Sequence, residues 1–122
     1  MKRLSLTLIV FLCLTIAGVK ANKTAVELKA PESVKSGTEF TITINVIHKG
    51  NSKSHHTEWV YLRINGKEVK RWSYTKDALP PDSIFTVEYN IIAGETLTIE
   101  AEGNCNIHGS TGPKTTIIKT TN

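Results

Sequence analysis

The chain has 122 residues, with 15 basic and 11 acidic side chains and two cysteines. This length suits one domain and leaves little room for a second. The formal charge of +4 does not indicate nucleic-acid binding, because no basic patch in the sequence is interleaved with aromatic residues.

Residues 1–21 predict a secretory signal peptide. Lys2 and Arg3 form a basic start, residues 4–18 are almost continuously apolar, and Val19-Lys20-Ala21 offers small residues for cleavage. The apolar run is short for a membrane-spanning helix, although an uncleaved N-terminal anchor is the alternative. We therefore expect residues 22–122 to form a periplasmic or secreted domain with no membrane segment.

Loss of this segment changes the charge and the cysteine count. It removes three basic residues and no acidic one, so the mature chain would hold 12 basic against 11 acidic residues. It also removes Cys13, which leaves Cys105 without a partner for an intrachain disulfide. A lone cysteine in an exported protein could pair between chains, lie buried or bind a metal.

The rest of the chain predicts β-strands. Phe40 to Val46 alternates apolar and polar residues, which is the period of a half-buried strand. Asn65-Gly66 favours a tight turn between two strands, because both residues tolerate positive φ. The expected strands cover residues 25–30, 40–46, 57–64, 68–74, 83–91, 97–101 and 115–120.

About seven short strands in some hundred residues predict an all-β fold, an immunoglobulin-like β-sandwich. A small barrel is the alternative, because periodicity alone does not fix the topology. The fold itself does not specify a function.

The four histidines fall in two short regions. His48, His55 and His56 surround one loop, and His108 follows Cys105 in a Cys-x-x-His sequence. Thiolate and imidazole together suit zinc, copper or iron. If a strand began at His55, that side chain would share a face with Trp59, so we expect His55 rather than His56 to bind the metal. His56 would then be exposed or lie behind the ligands, and incidental surface histidines are the alternative for the whole set.

The cysteine motif resembles a known family. Residues 104–109 are similar to the Cys-Asn-x-His-Gly signature of the superoxide reductase (desulfoferrodoxin) iron domain, of the neelaredoxin type. Residues 55–60 resemble its His-x-x-x-Trp-Ile segment, and residues 30–40 resemble its Pro-x-x-Val-x-x-Gly-x-x-Phe segment. Gly94 to Thr98 is similar to the stretch before the cysteine motif, so the resemblance covers nearly the whole mature chain.

The resemblance implies mononuclear iron, Fe2+ or Fe3+, on an immunoglobulin-like sandwich. It implies that His48, His55 and His108 are equatorial ligands and that Cys105 is the axial ligand. The implied reaction reduces superoxide to hydrogen peroxide. Without a second cysteine cluster, the protein would need an external electron donor.

Other positions bear on the activity. Thr24 stands where the family has its first ligand histidine, and Asn22 stands where the family has a glutamate. Lys23 matches the family's lysine beside the open iron position, and Lys49 in the histidine loop is a second candidate for attracting the anion. His56 could fill the place left by Thr24 if a bulge turned it toward His55.

Three hypotheses follow. The first is an exported superoxide reductase, and the second is a non-catalytic metal-binding or electron-transfer module on the same fold, which Thr24 favours. The third is an exported interaction domain with incidental histidines, for which Cys105→Ser and His108→Ala would change stability alone.

Overall fold

The computed structural model describes residues 22–122, which form a sandwich of two β-sheets. The predicted signal peptide lies outside the described residues. No helix among those residues is long and apolar enough to cross a membrane. The strands are β1 (Ala25–Lys29), β2 (Ser33–Lys35), β3 (Glu39–Ile47), β4 (Thr57–Ile64), β5 (Lys67–Ser73), β6 (Ile84–Ile92), β7 (Leu97–Cys105) and β8 (Lys114–Thr121).

The smaller sheet has the order β1-β3-β6 and is antiparallel. The larger sheet has the order β2-β8-β7-β4-β5, in which the short β2 pairs with β8 in parallel. This arrangement confirms the predicted all-β sandwich. The prediction missed β2, because three residues carry no periodicity and their partner lies at the far end of the chain.

The core lies between the sheets and is formed by the alternate apolar residues of each strand. Ile42, Ile44 and Val46 of β3 are fully buried, whereas the residues between them are partly exposed. They pack with buried residues from the other sheet, including Val60, Leu62, Ile99 and Ile118. Alternation of this kind is the expected pattern for a strand with one face on the core.

The turn predicted at Asn65-Gly66 joins β4 to β5. Asn65 has φ 51° and Gly66 has φ 81°, so both residues take the left-handed conformation that such a turn requires. Tyr61 on β4 lies on the same face as Trp59, and their rings are stacked. Tyr61 is buried on this face, where Arg63 and Arg71 lie over its ring.

Candidate metal centre

Ligand atoms from both sheets meet at one end of the sandwich. His48, His55 and Cys105 offer ligand atoms that lie within 4.8 Å of one another. His48 directly follows β3 of the small sheet, whereas Cys105 ends β7 of the large sheet. His55 lies in the loop that connects β3 to β4, and Thr57 at the start of β4 pairs with Cys105. The chain thus crosses from one sheet to the other where these side chains converge.

His48 carries a polar atom that the described protein groups leave unsatisfied. The residue is 1% exposed, and its Nδ1 lies 3.0 Å from Oδ1 of Asn51. Its Nε2 is buried and has no hydrogen-bond partner among the described residues. An unpaired buried polar group costs about 1–3 kcal/mol. A metal ion at this end of the sandwich would remove that cost.

The ring of His48 is also held in the form that binds metals. Burial lowers the pKa of His48, and the hydrogen bond with Asn51 opposes this effect in part. The lowered pKa favours the neutral imidazole near neutral pH, and neutral imidazole is the metal-binding form.

Cys105 lies in a tight turn that directs backbone N–H groups toward its sulfur. The N–H groups of Ile107 and His108 both lie 3.4 Å from Sγ and donate to it. The turn is closed by Cys105 N donating to Gly109 O at 2.9 Å and by Gly109 N donating to Cys105 O at 3.0 Å. Gly109 has φ 80°, a conformation in which a side chain would be strained. Two donors on sulfur would offset the negative charge of a metal-bound thiolate.

His108 lies beside His55 with a nitrogen facing it. Nδ1 of His108 is 3.1 Å from Nε2 of His55, and His108 is exposed. Two nitrogens that each lie about 2.1 Å from one ion, at a right angle, are about 3.0 Å apart. The observed separation therefore suits adjacent ligands of a single ion, as well as an N–H···N hydrogen bond without one.

His56 has different surroundings from the other three histidines. It is buried, and its Nδ1 donates to the carbonyl oxygen of Ser52 at 3.0 Å. Neither His56 nor His108 is part of the group formed by His48, His55 and Cys105, but His108 differs in having its Nδ1 next to the ring of His55. Metal binding by His56 stays a prediction.

The expected strand position of His55 is wrong. β4 begins at Thr57, and His55 lies in the preceding loop, where its backbone N–H donates to Ser52 Oγ at 3.2 Å. The register of β4 against β7 also shifts between Thr57 and Trp59. Alternation along β4 therefore does not explain why His55 is near Cys105, and the loop conformation does.

Lys23 and Lys49 are both exposed and lie near this end of the sandwich. The side-chain amide of Asn22 bridges to the backbone of Lys49, with Nδ2 donating to Lys49 O at 2.6 Å and Oδ1 accepting from Lys49 N at 3.1 Å. This bridge brings the chain at Lys23 beside the residue that follows His48. Lys49 thus directly follows a candidate ligand in the chain, and Lys23 follows the residue that is bonded to Lys49.

Thr24 offers no nitrogen, and its hydroxyl is engaged elsewhere. The residue is fully buried, and its Oγ1 lies 2.9 Å from Oγ1 of Thr57. Its backbone donates to Gly109 O and accepts from Thr111 N. The ligands that the structure brings together at this end are therefore the imidazoles of His48 and His55 and the thiol of Cys105, with the ring of His108 beside His55, a set that suits iron, copper or zinc.

Asn51 was not anticipated from the sequence. It contacts the ring of His48 through Oδ1, yet an asparagine in a polar loop is too common to attract notice. Its position three residues after His48 was the only signal.

The fold and these side chains define a β-sandwich protein with a candidate His/Cys metal site. Residues 18–111 match the model of the desulfoferrodoxin family, and the chain belongs to that family. A search among curated protein sequences found no significant match.

Solved structures share the fold. A superoxide reductase (neelaredoxin) from Ignicoccus hospitalis superimposes with a TM-score of 0.68 at 22% identity, covering 84% of this chain and 85% of that one. The CARDB domain of a Pyrococcus furiosus protein, in complex with di-metal ions, gives a TM-score of 0.61 at 16% identity, covering 84% of this chain and 97% of that one. The expected resemblance to superoxide reductases is thereby confirmed at the level of family and fold.

Proposed function

We propose that the protein binds one iron ion through His48, His55, His108 and Cys105 and reduces superoxide. The single observation that carries the proposal is the buried Nε2 of His48, which has no hydrogen-bond partner within residues 22–122 although a second imidazole and a thiol lie beside it. Membership of the desulfoferrodoxin family favours iron over zinc or copper.

The reaction converts superoxide to hydrogen peroxide with one electron and two protons. Iron, when bound, supplies that electron, and solvent supplies the protons. Turnover would need an external electron donor, because Cys105 is the one cysteine in residues 22–122 and these residues would use it for the proposed site.

The side chains of this protein have separate tasks in that proposal. Cys105 binds as thiolate and donates electron density, while the N–H groups of Ile107 and His108 hold its sulfur in place. The imidazoles bind as neutral ligands. Lys23 and Lys49 are exposed near the site and attract the superoxide anion, because a local positive charge raises the rate at which an anion arrives.

A second candidate function is a metal-binding or electron-transfer module without turnover. Thr24 favours it, because this buried residue is bonded to Thr57 and supplies no fourth imidazole. Both candidates need the same four ligands, so they differ in the reactivity of the bound iron.

The visible spectrum of the iron-loaded, oxidised protein tests the ligand set. The parent should show a thiolate-to-ferric band that Cys105→Ser lacks. His56→Gln is the matched control, since it removes a histidine of the same loop that is not one of the four proposed ligands and whose Nδ1 is bonded to the carbonyl oxygen of Ser52. It should keep the band. A parent that holds iron without the band would exclude the proposal.

Turnover separates the two candidates. A reductase supplied with a donor consumes superoxide and forms hydrogen peroxide without releasing dioxygen. Lys23→Ala and Lys49→Ala should lower the rate at low salt and leave the visible band unchanged, because exposed charges act over about 10 Å at 0.1 M salt. A thiolate band with no superoxide consumption would favour the non-catalytic module.

We also propose export to the periplasm or the medium, on the pattern of residues 1–21. The mass of the protein recovered from its natural host measures this directly. A chain that begins near Asn22 supports cleavage, and an intact N-terminus in the membrane fraction would indicate an anchor instead.

A further inference from the structure

We propose that Asn51 is a positioning residue that holds His48 in the Nδ1–H form. The lone pair of Nε2 is thereby left available for a metal bound together with His55 and Cys105. The tautomer of His48 is a property of the metal-free protein. Its consequence for affinity rests on the iron site proposed above.

The orientation of the Asn51 amide is fixed by two backbone groups. Thr57 N, which can only donate, lies 2.9 Å from Oδ1. The carbonyl oxygen of Asp82, which can only accept, lies 2.8 Å from Nδ2. A flipped amide would place donor against donor and acceptor against acceptor, so neither contact would survive.

The oxygen of Asn51 therefore faces His48, and this determines the ring tautomer. Oδ1 lies 3.0 Å from Nδ1, and an amide oxygen can only accept. Nδ1 must carry the hydrogen, which leaves Nε2 as the nitrogen with a free lone pair in the neutral ring. That same Nε2 is the buried atom for which the described part of the chain provides no hydrogen-bond partner.

The contact also ties His48 to the strand that is paired with Cys105. Asn51 Oδ1 accepts from Thr57, the first residue of β4, and Thr57 pairs with Cys105 on β7. The bond from Asn51 Nδ2 reaches the loop before β6, which belongs to the small sheet. The side-chain amide of Asn51 thus connects the ring of His48 to β4 of the large sheet and to the loop before β6 of the small sheet.

Three variants separate positioning from loop support. Asn51→Leu removes the acceptor at similar volume. Asn51→Asp keeps an oxygen that can accept from His48 and Thr57, but loses the donor to Asp82. Asn22→Ala is the matched control, because it removes two hydrogen bonds to the backbone of Lys49, next to His48, without removing a side-chain bond to the ring.

The first measurement is the tautomer of His48 in the chelator-treated protein, from the nitrogen chemical shifts of its ring. We expect the Nδ1–H form in the parent, in Asn51→Asp and in Asn22→Ala, and its loss as the main form in Asn51→Leu. Persistence of the Nδ1–H form in Asn51→Leu would overturn the inference. Because no metal is involved, this result stands even if the protein proves not to bind iron.

The second measurement is the affinity for ferrous iron under anaerobic conditions. Loss of a residue that orients a ligand histidine lowers metal affinity about 10–100-fold. We expect that loss in Asn51→Leu and a change of less than about threefold in Asn51→Asp and Asn22→Ala. An equal loss in Asn51→Leu and Asn22→Ala would assign Asn51 a role in loop support alone and overturn the inference.

Discussion

Gly103 makes room for Thr24 next to the candidate ligands, so Gly103→Ala should destabilise the fold. A Cβ at residue 103 would lie 2.7 Å from Cγ2 of Thr24 and 3.2 Å from Cγ1 of Val26. Carbon atoms in favourable contact are about 3.5–4.0 Å apart. Thr24 and Val26 are both almost fully buried and β-branched, so neither can easily move away. Overpacking of this kind costs about 1–3 kcal/mol.

Denaturant unfolding of the metal-free protein measures this cost. Gly94→Ala is the matched control, because a Cβ there meets nothing within 4 Å and its φ is not positive. It should change the free energy of unfolding by less than about 1 kcal/mol. The double variant Thr24→Ser with Gly103→Ala should recover part of the loss, because serine lacks Cγ2 but keeps the hydroxyl that bonds Thr57. Equal stability of Gly103→Ala and Gly94→Ala would refute the reasoning, and so would a double variant in which the two changes simply add.

Three further predictions concern the core, the outer sheet face and the metal. Ile42→Ala should cost about 2–5 kcal/mol in thermal or denaturant unfolding, because Ile42 is fully buried. Burial, followed by the hydrogen bond to Glu102, raises the pKa of Tyr61. The unfolded chain ionises first, near pH 10, so the free energy of unfolding should fall as the pH rises past about 10, and less steeply in Tyr61→Phe. Ferrous iron at about 100 times its Kd should add about 2.7 kcal/mol to the free energy of unfolding, and this gain should vanish in Cys105→Ser.

Each of these three predictions would be contradicted by a specific result. An Ile42→Ala loss below about 1 kcal/mol would mean that the core closes over the cavity. Parallel pH profiles for the parent and Tyr61→Phe would show that Tyr61 ionises alike in both states. Unchanged stability with iron would mean that the ion binds the unfolded chain equally well, or not at all.

The sequence was sufficient to predict most of the fold, because the strands depend on local periodicity. Phe40 to Val46 alternates without interruption, and β3 extends only one residue beyond this segment at each end. The Asn65-Gly66 turn was predictable because few other residues accept its backbone angles. In contrast, β2 depends on a partner at the far end of the chain, which no local pattern reveals.

The candidate site was predictable in its composition and not in its arrangement. Cys-x-x-His marked the turn at Cys105, whose hydrogen bonds are local. The position of His55 depends on the loop before β4, where bonds to Ser52 replace the expected strand. The role of Asn51 depends on partners at residues 57 and 82, and chain-distant contacts of this kind are absent from a motif.

The distribution of the ligands over two sheets has a mechanical consequence. His48 directly follows β3 of the small sheet, whereas Cys105 ends β7 of the large sheet and the turn with His108 follows it. An ion bound by ligands from both sheets would join the sheets at this end of the sandwich. The sheets could then not separate there until a metal–ligand bond broke. Amide hydrogen exchange at the end of β3 and the start of β4 should therefore slow on metal loading, while exchange at the opposite end near the Asn65-Gly66 turn stays unchanged.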